Sequence, residues 1–313
     1  MTSPKLRCAD TARDRGDPPL GTAPVAGSFL LIEHPGPWRS DAVAGAGWSP
    51  EVVHALTAAL RRSLGRLLFI RRPGRRPVTS TRAWAGTRVG AGTRWGTRQH
   101  EGDLMAAAAS LSAPPSNPSR GGSSASPASL EPVLLVCAHG MHDTCCAVRG
   151  RPVATALARR WPTATWECSH VGGDRFAANV VVLPDGTYYG GLDAESVTDL
   201  IAGHLDGRLD PLHLRGSVRW PPAAQVAVGE IHRTRGPYAA GDVRAESWTT
   251  VAPSRWLVEV SVPDGRRWGV TVAGERRAAA RLTCAATQET RATSYRVMTV
   301  SATLSPPDQV TIS

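Results

Sequence analysis

Two short apolar runs, VLLVC ending at Cys137 and TATWEC ending at Cys168, each pass directly into a loop dense in histidine and glycine. The first loop reads Cys137-Ala-His139-Gly140-Met-His142-Asp143-Thr-Cys145-Cys146. The second reads Cys168-Ser169-His170-Val-Gly172-Gly173-Asp174-Arg175-Phe176. In an α/β sheet, loops leaving neighbouring strand ends converge at one edge, so soft donors far apart in the chain meet there. The two loops could therefore meet around one metal centre.

The flanking sequence supplies the rest of such a unit. Pro152, Val153, Ala156, Leu157 and Trp161 mark a helix with one apolar face. NVVVLPDGTYYGGL reads as a hairpin turning at Pro184-Asp185-Gly186. Asp193 caps a last helix whose inner face is Val197, Leu200, Ile201 and Leu205. The order β-α-β-β-β-α predicts a small α/β domain with a mixed sheet over residues 132–225.

Residues 1–72 contain a βαβ-like unit: the run SFLLIEH, a helix opened by Ser49-Pro50-Glu51, and the strand RLLFI. Val52, Val53, Leu56, Leu60 and Leu64 share a helical face, and Gly65 suits a C-cap. Residues 73–131 read as a flexible basic and Ser/Pro-rich linker, with room for a short helix near Leu104 to Leu111. Residues 226–313 predict a small β-rich extension with strands at WLVEVSV, WGVTV and YRVMTV. The tandem Pro221-Pro222 reads as a redirection of the chain.

The net charge of +10 raises nucleic acid as a partner. Arg71, Arg72, Arg75, Arg76, Arg82, Arg88, Arg94 and Arg98 crowd the linker, which reads as a solvated stretch, so nucleic-acid binding is not expected. No apolar run of about 18 residues predicts a membrane span, and no secretory leader is expected. The expected compartment is cytoplasmic. There, Cys137, Cys145, Cys146 and Cys168 point to metal or redox chemistry in place of a disulfide framework. Cys8 and Cys284 stand alone and receive no role.

A [2Fe–2S] cluster takes two ligands per iron, and histidine can replace thiolate on one of them. Cys137 and Cys146 suit one iron; His170 and a nearby partner suit the other. Gly172 and Gly173, lacking Cβ atoms, would let backbone N–H groups approach the inorganic sulfides. His139 is a candidate donor to a cluster sulfur, and Arg175 either a surface charge or a neutralising one. The alternatives are a structural Cys₃His zinc site from Cys137, Cys146, Cys168 and His170, or a metal-free binding module.

The combined stretch VCAHGMHDTCCAVRGRP…WECSHVGGDRFAANVVVLPDGTYYG resembles the sucrase/ferredoxin-like family. LLIEHPGPW and LRGSVRWPPAAQ extend the resemblance. It implies a thioredoxin-like [2Fe–2S] ferredoxin fold and electron transfer with a redox partner it does not identify. It also implies ligation by two cysteines, here Cys137 and Cys146, and by two histidines of an H-x-G-G-H motif. The first histidine is His170; the second position holds Asp174. The fourth ligand therefore lies between Asp174 and Cys168, with Cys145 and His139 behind them. Sucrose cleavage would need two carboxylates flanking the bond, and the sequence offers no such pair in an aromatic sugar site.

Overall fold

The computed structural model describes residues 7–74, 82–111 and 128–303. After a short helix α1 (Cys8–Asp14), strand β1 (Ser28–Glu33), helix α2 (Pro50–Arg62) and strand β2 (Gly65–Arg71) form the expected βαβ unit, with β1 and β2 parallel. The local chemistry is as read: the Val52 N–H donates to Ser49 Oγ at 3.5 Å, and Pro50 opens the helix where no N–H is needed. Val52, Leu56 and Ala59 pack onto β1, whose Phe29 through Ile32 are fully buried. Burying each of the Val, Leu, Ile and Phe side chains contributes roughly 1.5–3 kcal/mol. The left-handed residue after α2 is Leu64 (φ +48°), not Gly65. Gly65 is small for another reason: a Cβ there would sit 2.6 Å from Ser28 Oγ.

The expected linker is corrected over most of its described length. Strands β3 (Arg82–Arg88) and β4 (Gly92–Arg98) form a hairpin, and β3 pairs antiparallel with β1. Trp84 is fully buried, and Gly96 lets its indole lie against the neighbouring strand. Arginines that read as solvated are built in; Arg98 donates to the Glu33 carbonyl at 3.1 Å. Such strands hide from hydropathy because their apolar surface comes from Trp, Ala, Thr and arginine stems. Helix α3 (Leu104–Ser110) is the short helix expected there. Arg75, Arg76 and residues 112–127 of the Ser/Pro-rich run lie outside the described residues.

The second half supplies β5 (Val133–Cys137), α4 (Thr144–Arg160), β6 (Thr165–Cys168), β7 (Val180–Leu183), β8 (Thr187–Tyr189), α5 (Val197–Leu205) and β9 (Leu214–Ser217). β5 runs parallel to β6 and antiparallel to β7, and β8 returns antiparallel to β7. This is the mixed sheet expected of the thioredoxin-like unit. β2 pairs antiparallel with β6, so the N-terminal unit extends the same sheet, in the order β4-β3-β1-β2-β6-β5-β7-β8-β9.

Helix α6 (Pro222–Arg235) starts at Pro222, so the tandem proline opens a helix where only a redirection was expected. The expected boundary between residues 225 and 226 falls inside it. α6 buries Ala224, Val226, Ala227 and Ile231 against Val258, Val260, Val270 and Val272. Those valines belong to an antiparallel sheet of β10 (Arg244–Ala252), β11 (Arg255–Ser261), β12 (Arg267–Arg276) and β13 (Thr293–Thr303). The extension is β-rich as expected, and α6 welds it to the rest.

Candidate metal centre

Cys137 and Cys168 end adjacent parallel strands and are register partners. After Cys137, the loop reaches Asp143, which caps α4: its Oδ1 accepts the Cys145 N–H at 2.8 Å. Cys145 and Cys146 therefore stand in the first helical turn, not in a loop as read from the sequence. Gly150 brings α4 down onto the strand end, since any Cβ there would collide with the Cys137 carbonyl oxygen. The Cys146 thiol thereby joins Cys137 in one core cluster.

After Cys168 the chain is pinned to β2. The Ser169 N–H donates to the Phe69 carbonyl at 2.8 Å, and Ser169 Oγ accepts the Phe69 N–H at 3.0 Å. Gly172 (φ +93°) and Gly173 (φ +78°) then make a left-handed turn into a 3₁₀ turn, Asp174–Phe176. A Cβ on Gly173 would lie 2.7 Å from Arg215 Cζ; one on Gly172 would meet no protein atom within 4 Å. Arg215 is 1% exposed. It donates to the Gly172 carbonyl, Asn179 Oδ1, Thr22 Oγ1 and the Thr22 carbonyl at 2.7–3.0 Å, with no carboxylate among these partners.

Sulfur atoms of Cys137 and Cys146 and a ring nitrogen of His170 lie within 4.8 Å of one another. Asp174, 3% exposed, completes the set: Cys146 Sγ donates to its Oδ1 at 3.2 Å, and His170 Nδ1 is 2.9 Å from the same oxygen. That nitrogen is buried and has no well-aligned hydrogen bond among the described residues. The neighbouring Cys146 thiol holds Cys137 well below the usual thiol range and is itself pushed up by sharing that proton. Burial opposes charge on His170, but Asp174 and Cys137 outweigh it and raise the imidazole to about 9. Asp174 is likewise lowered, its burial outweighed by His170 and the Cys146 thiol.

Cys168 is fully buried in the core and belongs to none of the converging donor groups among the described residues. Burial pushes its thiol up. His139 has both ring nitrogens occupied: Nε2 lies 2.7 Å from the Arg39 carbonyl, and Nδ1 accepts the His170 N–H at 3.3 Å. It positions the His170 backbone instead of offering a donor. Arg175 lies over Phe176 and 3.5 Å from Asp17. The His142 ring stacks on His170 with centroids 3.7 Å apart, and its Nε2 is 3.7 Å from Asp174 Oδ2. Arg215 left no local signal, because only the folded sheet carries it beneath the glycine turn.

Two cysteine sulfurs and an imidazole are donors that an iron–sulfur or zinc centre accepts, whereas the Asp174 carboxylate beside them is a harder donor. The class this defines is an α/β protein with a cluster of cysteine and histidine donors, able to hold a metal, at the ends of two parallel strands. A family model described as sucrase/ferredoxin-like matches residues 19–216, and the chain belongs to that family. No curated protein matches it. Among solved structures it is similar to the Cys59Ser variant of the thioredoxin-like [2Fe-2S] ferredoxin from Aquifex aeolicus. The two are 23% identical over 25% of this chain and 91% of that one, with a TM-score of 0.22. Among the described residues, no helix is long and apolar enough to cross a membrane.

Proposed function

We propose that this protein holds a [2Fe–2S] cluster and passes single electrons to a redox partner. The observation that carries the reading is the convergence of Cys137, Cys146 and His170 donors within 4.8 Å at the ends of β5 and β6. Cys137 and Cys146 would hold one iron, and His170 and Asp174 the other. When bound, the cluster supplies one-electron chemistry. The chain supplies the environment. Cys137 and Cys146 are buried, whereas the His170 and His142 side chains remain 25% and 35% exposed, so the histidine side is the face open to a partner. Arg215, charged and buried behind the glycine turn, offsets negative charge there.

A second reading of the fourth ligand has its own support. His142 converges with His170 and Asp174 within 4.8 Å, and imidazole suits this iron better than a hard carboxylate. Anaerobic purification of the full chain, followed by visible spectroscopy and iron and acid-labile sulfide assays, tests the proposal. About two irons and two sulfides per chain are expected, with colour lost in Cys137→Ser and Cys146→Ser. A colourless protein after reconstitution would reject the cluster. Loss of colour in Asp174→Ala but not His142→Ala supports the carboxylate; the reverse pattern supports His142.

A further inference from the structure

Cys8, Cys145 and Cys284, two of which had no expected role, come together with Asp143 on the other side of the α4 N-terminus. One donor atom from each of the four lies within 4.8 Å of the others. Cys145 Sγ is 3.3 Å from Cys284 Sγ, which is 3.6 Å from Cys8 Sγ. Cys8 Sγ is 3.6 Å from Asp143 Oδ2, and the Cys284 N–H donates to that oxygen at 2.6 Å. The residues come from three distant segments: the start of α1, the first turn of α4, and the irregular stretch between β12 and β13.

We propose that these four residues form a second metal site, distinct from the cluster centre, that binds one zinc ion in a structural role. All four are donors that zinc accepts, and a structural site is tetrahedral with no open position. With Zn–S bonds near 2.3 Å, tetrahedral geometry places neighbouring sulfurs about 3.8 Å apart. The Cys145–Cys284 and Cys284–Cys8 separations of 3.3 and 3.6 Å need to open by only about half an ångström or less. Asp143 accepts one backbone N–H on each oxygen, at Cys145 and at Cys284, and retains lone pairs for a cation. Binding would release the thiol protons and leave the metal held by three thiolates and a carboxylate.

A plain packing role explains the cluster poorly. The buried group at this junction consists of Cys8, Ala9, Cys145 and Ala177, with Cys284 against it, and contains no large apolar side chain. Little hydrophobic burial is therefore available to hold the three segments together. A disulfide would use two of the three cysteines and leave the third beside a buried carboxylate. All three are free thiols.

The test is zinc analysis of the full chain, with iron assayed on the same sample. About one zinc per chain is expected, retained in Cys137→Ser and lost in both Cys8→Ser and Cys284→Ser, while the latter two keep the visible absorption of the iron centre. This pattern separates the inference from the cluster proposal, because each depends on different residues and a different metal. Should the serine variants fail to fold, the wild-type chain still decides: Cys8, Cys145 and Cys284 should resist alkylation until a zinc chelator is added. Absence of zinc from the wild type, zinc that follows Cys137 and not Cys284, or a Cys145–Cys284 disulfide in peptide mapping would each overturn the proposal.

Discussion

Gly172 and Gly173 are adjacent and share a left-handed backbone, yet alanine should be tolerated very differently at the two sites. At both, a Cβ in the left-handed region costs about 1–2 kcal/mol. Gly172→Ala adds nothing further, since its Cβ would meet no protein atom within 4 Å. Gly173→Ala drives the methyl to 2.7 Å from Arg215 Cζ. The guanidinium has nowhere to retreat, because its hydrogen bonds to Thr22, Gly172 and Asn179 hold it on several sides. Displacing it breaks at least one bond to a buried charged group, at about 1.5–3 kcal/mol. The expected losses are about 1–2 kcal/mol for Gly172→Ala and about 2.5–5 kcal/mol for Gly173→Ala. Urea unfolding of both variants, with m-values checked for equality, measures the difference. Equal losses would show that backbone strain alone explains the glycines and that Arg215 is not wedged beneath the turn.

Two further outcomes concern stability. Burial lowers His232 to about 4, so it is neutral in the folded chain, whereas the unfolded residue titrates near 6.5. Its contribution is intact above pH 6.5 and is lost as pH falls from 6.5 to 4, by about 3 kcal/mol in all; His232→Gln should flatten that part of the profile, and an unchanged wild-type-minus-variant difference across this window would contradict it. Tyr188 is fully buried with no hydrogen-bond partner for its hydroxyl among the described residues. Tyr188→Phe should therefore leave Tm unchanged or raise it, and a loss above about 1 kcal/mol would reveal a partner for the hydroxyl.

The legible parts of this chain were those where local chemistry and periodicity agree. Ser49-Pro50 announced α2, the apolar run of β1 announced a buried strand, and Pro184-Asp185-Gly186 announced the β7–β8 turn. The β3–β4 hairpin was illegible because arginine, glycine and threonine mask its buried face. Helix α6 was hidden behind a proline pair that reads equally well as a stop. At the centre, Cys137, Cys146 and His170 could be grouped from strand-end logic, and Asp174 entered through the family resemblance. His142 and Arg215 could not be found so, since their places depend on how α4 and β9 dock. Cys8 and Cys284 were beyond any local pattern, being 276 positions apart.

The two halves of the large sheet are joined where β2 meets β6: Ile70 and Arg71 pair with Cys168 and Glu167, the Phe69–Ser169 hydrogen bonds extend the join, the Arg71–Glu167 ion pair at 2.7 Å reinforces it, and one buried core cluster runs through both halves. Four strands on one side and five on the other thus share one core, and a residue at their join is held as firmly as that core. The segment that crosses from Ser169 to His170 hangs directly from this join. The imidazole is therefore supported from the N-terminal unit through Phe69 and Ser169, while Cys137 and Cys146 are held by β5 and α4. A chain cut back to residues 132–225 would keep both thiols and lose the support beneath the imidazole.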